Sequence, residues 1–160
     1  PNFGNTENQK SVPKALLNFP FSIFHFQFSL YLCRMTFSVT ILGAASAKPS
    51  TTRHQSSQLI NHCGQYYLVD AGEGTQQQMF RMGINPLKLR AVFISHLHGD
   101  HVFGLFPMLS TMGLCGRQMP LKVYAPRPFG EILEYHLRYF DSQLPYEVEW
   151  VEVDTTSHQI

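Results

Sequence analysis

The segment FISHLHGDHVFGL (93–105) gathers three histidines and an aspartate within six positions, His96 to His101, after an apolar run. Neutral imidazoles and carboxylates are the usual ligands of hydrolytic zinc, so these residue types indicate a metal site. His96 and His98 are two positions apart, and on an extended segment both side chains point to the same side, where they can hold one ion. We therefore interpret the segment as a metal-binding motif rather than as a polar surface loop.

The second half of the motif offers donors for a second ion. Gly99 lets the chain turn, and Asp100 and His101 follow at the predicted start of a helix. Two neighbouring ions can share a bridging hydroxide and stabilise both the attacking and the leaving oxygen of a phosphoryl transfer. Asp70 also ends a predicted strand, where it is either a turn carboxylate or a partner that fixes the tautomer of a ligand histidine.

The elements that must position these side chains follow from the hydrophobic pattern. A continuous apolar strand, 91–95, leads to His96, and a helix is predicted near 101–113 with Pro107 in its first turns or kinking it. Strands are also predicted at 37–43, on both sides of a hairpin turn at 62–64, at 121–125 and at 146–153, and helices at 75–83 and near 128–140. Strands alternating with helices predict a layered α/β architecture.

Composition and charge set few limits on function. The chain has 160 residues, of which 44% are hydrophobic and 14% charged, as in an ordinary globular domain with its own core. Its three cysteines lie far apart, which favours a reducing compartment over a disulfide framework. Residues 36–130 carry eight Lys or Arg against three acids, whereas 131–154 carry one arginine against seven acids. The basic part contains the motif and suits a polyanionic substrate, although scattered solvated charges often give such counts.

The first 34 residues have a different pattern. ALLNFPFSIFHFQFSLYLC (15–33) follows Lys10 and Lys14, so a signal peptide or membrane helix is one interpretation. Polar residues and a proline interrupt this stretch, and no small-residue cleavage site precedes the domain. We expect instead that translation naturally begins at Met35 and that 1–34 is a poorly ordered, non-native upstream extension. The domain is then 35–160.

The remaining candidates for chemistry are weaker. His136 falls on the apolar face of the helix predicted near 128–140, so we interpret it as a packing residue. Ligand spacing is lacking at four further histidines: His25, His54, His62 and His158. Nucleophilic roles would need an acid–base partner that the sequence does not identify at Ser56, Ser57 or Cys115.

Four stretches carry a family resemblance. SHLHGDH is similar to the HxHxDH signature of the metallo-β-lactamase superfamily. With it, LGAASAKPSTTRHQSS (42–57), YLVDAGEGTQQQ (67–78) and PLKVYAPRPFGEIL (120–133) resemble ribonuclease Z, the tRNA 3′-processing endoribonuclease, over about 35–154. The resemblance implies the amino-terminal half of the α/β metallo-β-lactamase fold, an αβ/βα sandwich. It also implies a cytoplasmic, homodimeric hydrolase that acts on precursor tRNA and does not associate with membranes.

The resemblance also implies individual roles. His96 and His98 bind a first zinc, and Asp100 and His101 bind a second, with Asp100 also the catalytic proton acceptor. Asp70 supports the ligand shell from outside. The activated water attacks the phosphorus 3′ to the discriminator nucleotide, which leaves a 3′-hydroxyl on the tRNA and a 5′-phosphate on the trailer. The RNA is recognised mainly by its shape and backbone.

Two departures from the family pattern qualify these expectations. The PxKxRN substrate loop of the family appears as PSTTRH (49–54), in which Pro49 and Arg53 match but Thr51 and His54 replace lysine and asparagine. The cleavage-site preference of the family therefore does not carry over to this chain, although the position of the loop is retained. The later ligands of the family, two histidines and a bridging aspartate, have no counterpart here. We expect the chain alone to bind zinc weakly, to self-associate through exposed apolar surface and to show little activity.

Two alternatives stay open. One is another hydrolase of the same fold, such as an arylsulfatase or a cyclic-nucleotide phosphodiesterase, which substrate assays would separate from a tRNA nuclease. The other is a non-catalytic fragment whose site binds only metal or RNA. Cleavage measured with and without a chelator would separate this alternative from an enzyme.

Overall fold

Among the described residues, six strands form one mixed sheet in chain order, and four helices connect them. The computed structural model describes residues 36–46, 48, 50–140 and 143–153, so the predictions for 1–34, Pro49 and His158 lie outside the described residues. The strands are β1 (Phe37–Gly43), β2 (Ser57–His62), β3 (Gln65–Val69), β4 (Leu89–Phe93), β5 (Leu121–Ala125) and β6 (Val148–Glu152). The helices are α1 (Thr75–Arg81), α2 (Gly99–Val102), α3 (Leu105–Leu114) and α4 (Phe129–Tyr139), with a 3₁₀ turn at Pro86–Lys88. The predicted alternation of strands and helices is therefore present.

The pairing of the strands changes direction once across the sheet. The hairpin predicted at 62–64 joins β2 to β3, and β1, β2 and β3 pair antiparallel. From β3 onward the pairs are parallel, because a helix returns the chain to the same edge before each new strand. The carboxyl ends of β3, β4, β5 and β6 consequently lie at one edge of the sheet.

The helix predicted near 101–113 is two helices, α2 and α3. The break falls at Gly104, whose N–H donates to the carbonyl oxygen of Ala71 at 2.8 Å. This donor therefore serves a neighbouring segment instead of a helical turn. Pro107 lies in the first turn of α3, where its missing N–H breaks no helical hydrogen bond.

All four helices contribute to one hydrophobic core on a single face of the sheet, called here the covered face. The sheet supplies Leu42, Leu59, Leu68, Val92 and Val123, and the helices supply Met79, Val102, Leu105, Met108, Leu109, Met112, Phe129 and Leu133. The opposite face, called here the outer face, has no helix of the described residues packed on it, and it exposes Phe37, Val39 and Ile41 of β1. No helix in the described ranges is long and apolar enough to cross a membrane.

A buried arginine anchors the loop that enters β5. The guanidinium of Arg117 donates to the carbonyl oxygens of Met119 and Pro120, both at 2.8 Å, and lies 5.2 Å from the ring centroid of Tyr146. Burial lowers the pKa of Arg117, and the neighbouring Tyr146 partly opposes this shift. Because these carbonyl groups satisfy the buried charge, Arg117 fixes the conformation of the loop.

Candidate functional site

The carboxyl ends of β3 and β4 bring the predicted site residues together. Asp70 directly follows β3, and its N–H donates to the carbonyl oxygen of Phe93, the last residue of β4, at 2.8 Å. Asp70 adopts a left-handed backbone conformation with φ of 58°, which turns the chain away from the sheet. Ser95 and His96 follow β4 at the same edge, so the two ends of parallel strands position the site.

The carboxylate of Asp70 is buried and holds two neighbouring segments. Its Oδ1 accepts from the backbone N–H of Ser95 at 2.8 Å, and the hydroxyl of Ser95 lies 2.9 Å from Oδ1 and 3.0 Å from Oδ2. Its Oδ2 lies 2.8 Å from Nδ1 of His101. A carboxylate only accepts, so Nδ1 of His101 carries a hydrogen, and in the neutral ring the free lone pair is therefore on Nε2. Asp70 thus sets the ring orientation and the tautomer of His101.

The ring of His96 contacts the rings of both other histidines of the motif. The ring centroids of His96 and His101 are 4.0 Å apart, and those of His96 and His98 are 4.7 Å apart. The hydroxyl of Ser95 lies 3.0 Å from Nδ1 of His96. Nε2 of His101 lies 3.5 Å from Oδ2 of Asp100. The structure therefore gathers the four motif residues and places Asp70 behind them.

Two glycines allow the motif to approach the segment that follows Asp70. The backbone N–H of Ala71 donates to the carbonyl oxygen of His101 at 2.7 Å. A side chain on Gly104 would collide with the carbonyl oxygen of Gly72, and one on Gly72 would collide with the carbonyl oxygen of Asp100. The backbones of the DAGEG (70–74) and HGDHVFG (98–104) stretches, which are distant in sequence, therefore pack directly against each other.

The donor set fits a metal ion by chemistry but does not form a closed site. Three imidazoles and one carboxylate are typical zinc ligands, and Asp70 leaves Nε2 of His101 available for coordination. Within the described ranges, however, no three His, Cys, Asp or Glu side chains are arranged to hold an ion together. The residues present are thus suitable ligands that form an incomplete set.

Several other predicted residues lie away from this cluster. Arg53 is exposed and lines a polar pocket with His54, while Pro49 lies outside the described residues. The ring of His136 lies 4.4 Å from that of Phe106 and 5.4 Å from that of Phe140, which fits the packing role expected for it.

Sequence reasoning missed Ser95 as part of the site. A serine carries little signal by its type. Its position one residue before the first motif histidine and after an apolar strand is the feature that could have identified it.

The span that carries the motif and strands β1 to β5 matches a known protein family. A family model described as Anti-Pycsar protein Apyc1 matches residues 37–144, more than half of the chain. The chain belongs to this family.

The chain is also related to ribonuclease Z, as the sequence motifs predicted. Ribonuclease Z of Parabacteroides distasonis is 41% identical over 124 residues, which are 78% of this chain and 41% of that protein. Ribonuclease Z of Methanothermobacter thermautotrophicus is 41% identical over 115 residues, which are 72% of this chain and 38% of that protein. The chain thus spans about two fifths of the length of these curated relatives.

Solved structures confirm the predicted fold class. The short form of human tRNase Z has a TM-score of 0.66 and 34% identity, covering 71% of this chain and 44% of that chain. The metallo-β-lactamase fold protein YhfI from Bacillus subtilis has a TM-score of 0.60 at 22% identity, covering 74% of this chain and 46% of that chain. The chain therefore has the α/β architecture of the metallo-β-lactamase fold and covers part of it.

Proposed function

We propose that the histidine motif serves a zinc-dependent endoribonuclease that removes 3′ trailers from tRNA precursors. The arrangement of Asp70, Ser95 and His101 carries the proposal, because it prepares an imidazole nitrogen for a metal at the edge of the sheet. The similarity to ribonuclease Z supports the substrate class. The activity is proposed for a whole protein, since the chain spans only part of the length of its relatives.

Each residue of the site has a proposed task. His96 and His98 would hold one zinc ion, and Asp100 and His101 would hold a second. Two such ions supply an activated water at neutral pH and stabilise the charge that develops on the phosphodiester. The carboxylate of Asp100 accepts the proton of the attacking water, and Asp70 keeps the ring of His101 in its orientation.

The substrate is recognised through its backbone. Arg53 in the loop 49–54 is exposed, and the basic balance of residues 36–130 favours a polyanion. Attack at the phosphorus 3′ to the discriminator nucleotide leaves a 3′-hydroxyl on the tRNA. We propose a cytoplasmic protein that acts as a homodimer without membrane association.

A chimera tests this proposal with an active reference enzyme. The aligned residues of this chain would replace the matching 124 residues of the Parabacteroides distasonis ribonuclease Z. We expect the chimera to cleave end-labelled precursor tRNA at its 3′ trailer, and we expect a chelator to abolish cleavage. His98→Ala in the chimera should lower kcat/KM at least about 100-fold. A folded, zinc-loaded chimera without precursor tRNA cleavage would contradict the proposal.

A second hydrolase function is favoured by one specific observation. The matching family model carries a description other than ribonuclease Z, although it covers the same motif. The competing substrates are those of the other hydrolases considered for this fold, namely small phosphodiesters, including cyclic nucleotides, and aryl sulfate esters. We expect the chimera to prefer precursor tRNA over these compounds in kcat/KM, and the reverse preference would favour the competing function.

A further inference from the structure

One serine hydroxyl lies between the buried carboxylate of the site and the first histidine of the motif. Oγ of Ser95 is 2.9 Å from Oδ1 and 3.0 Å from Oδ2 of Asp70, and it is also 3.0 Å from Nδ1 of His96. The backbone N–H of Ser95 donates separately to Oδ1 of Asp70 at 2.8 Å. Because this backbone contact already joins the two segments, the hydroxyl is available for a second task.

The single hydrogen of the Ser95 hydroxyl can serve only one of these two neighbours. A carboxylate offers acceptors alone. If the hydrogen pointed to His96, the lone pairs of Oγ would face both oxygens of Asp70, a residue that is 4% exposed, with no hydrogen between them. Such an arrangement is costly for a buried charge. Oγ therefore donates to Asp70 and accepts from Nδ1 of His96.

The same tautomer then follows for two histidines of the motif. Nδ1 of His96 carries a hydrogen because it donates to Ser95, and Nδ1 of His101 carries one because it donates to Asp70 at 2.8 Å. In each neutral ring the free lone pair is on Nε2. One carboxylate thus prepares two rings for a metal, His101 directly and His96 through the hydroxyl.

A serine does this better than the water that would replace it. Ser95 is exposed at the edge of the sheet, so water can enter if the hydroxyl is removed. A water has two hydrogens and can donate to Asp70 and to Nδ1 of His96 at the same time, which permits the other tautomer. The hydroxyl has one hydrogen and is attached to the chain, so it permits only the tautomer with a hydrogen on Nδ1.

We propose that Ser95 is a positioning residue that fixes the tautomer of His96 and thereby joins both proposed zinc sites to one carboxylate. His96 belongs to the ligands proposed for the first ion, and His101 belongs to those proposed for the second. This inference rests on the proposed function, because it concerns ligands of the same site. Ser95 acts only through His96 and Asp70.

The tautomers of the metal-free chain test the proposal without any need for activity. Long-range proton–nitrogen NMR of the imidazole rings, at a pH of about 8.5 where an ordinary imidazole is neutral, shows which nitrogen carries the hydrogen. We expect the hydrogen on Nδ1 in both His96 and His101. Ser95→Ala should give a mixture of tautomers at His96 and leave His101 unchanged. Asp70→Asn should reduce the preference in both rings, because its amide has one acceptor oxygen instead of two.

The affinity for zinc gives a second measurement, made by competition with a weak chromophoric chelator. Ser95→Ala should lower the affinity about 10-fold, at the low end of the usual cost of losing such a partner, because water partly replaces the hydroxyl. Ser95→Thr keeps the hydroxyl and should restore the affinity. If Ser95 acts through Asp70, Ser95→Ala should cost less in the Asp70→Asn background than in the unaltered chain.

The matched control is Ser56→Ala. The carbonyl oxygen of Ser56 accepts from the N–H of Gly72 at 3.0 Å, so this serine also lies beside the segment that follows Asp70. Its hydroxyl, however, accepts from the side chain of Gln58 at 3.3 Å. We expect Ser56→Ala to leave the tautomers and the affinity for zinc unchanged. Circular dichroism verifies that each variant is folded.

Three outcomes would overturn the inference. The first is a hydrogen on Nε2 of His96 in the unaltered chain. The second is an unchanged His96 tautomer in Ser95→Ala. The third is an equal loss of affinity in Ser95→Ala and Ser56→Ala, or a loss that Ser95→Thr does not restore. If the tautomers respond as expected and the chimera does not cleave precursor tRNA, the proposed function fails and the role of Ser95 stands.

Discussion

The two faces of the sheet are both apolar, yet only one of them is buried. On the covered face, strand pairing places Leu59, Leu68 and Val92 side by side, and none is more than 2% exposed. On the outer face, Phe37, Val39 and Ile41 are 67%, 54% and 57% exposed. Hydrophobic side chains alone therefore do not explain burial, because only the face on which the helices pack is buried.

The outer face is apolar well beyond β1. Val69, Phe93, Tyr124 and Val151 are successive partners across the parallel strands. The rings of Phe93 and Tyr124 stack with centroids 4.8 Å apart. Parallel strands with apolar residues on both faces are typical of sheets that are covered on both sides. The covered face therefore stabilises the chain, and the outer face is suited to burial against another surface.

The largest expected effect separates two adjacent residues of β1. Leu42 is 3% exposed on the covered face, so Leu42→Ala should lower the free energy of unfolding by about 2–5 kcal/mol. Ile41 points to the outer face, so Ile41→Ala should change it by no more than about 0.5 kcal/mol. Urea unfolding at low protein concentration, followed by circular dichroism, measures both. Similar losses for the two variants would remove the distinction between the faces.

The next effect concerns the edge of the sheet where the site lies. Asp70→Asn keeps the side-chain size but replaces one acceptor oxygen with an amide donor that faces Ser95 and His101. We expect the affinity for zinc to fall about 10-fold to 100-fold, because the ring of His101 loses its partner. Competition with a chromophoric chelator measures the affinity.

Glu73→Gln is the control for this change. This substitution removes an acid from the same segment, but the side chain of Glu73 is exposed and does not lie behind His101. An equal loss of affinity in both variants would mean that overall charge, and not the contact of Asp70 with His101, supports binding.

Local patterns predicted the strands well and the site only in part. The bounds of β1 and β5 match the prediction, because short β-branched and apolar runs are bounded there by turn residues. The strand predicted at 91–95 begins earlier, at Leu89, and ends at Phe93, since the pairing with β3 stops where Asp70 turns away. Hydrophobic pattern does not reveal where a neighbouring strand ends.

The local sequence pattern could not predict the contact between Asp70 and His101. The two residues are 31 positions apart, and their 2.8 Å contact depends on β3 and β4 being parallel neighbours. The family resemblance identified Asp70 as a supporting residue. That its Oδ2 contacts Nδ1 of His101 follows only from the fold. Ser95 was missed for the same reason, because its hydroxyl acts through Asp70 and His96.

The smallest expected effect tests whether the exposed outer face causes self-association. The purified chain should self-associate with rising concentration, because its outer face leaves large apolar side chains in water. A triple variant with Phe37→Ser, Val39→Thr and Ile41→Thr should weaken self-association at least about 10-fold, equivalent to about 1.4 kcal/mol. Sedimentation velocity over a range of concentrations measures the change.

Helix α4 supplies the matched control for the outer face. Tyr135 and Tyr139 are 62% and 68% exposed and stack on each other, so α4 also carries an apolar surface. Tyr135→Ser with Tyr139→Ser should leave self-association unchanged, since the sheet rather than the helix presents the broad uncovered surface. If this double variant became monomeric while the triple variant still self-associated, the uncovered part of the molecule would be on the helical side. The difference in exposure between the two faces of the sheet would then not predict which surface takes part in self-association.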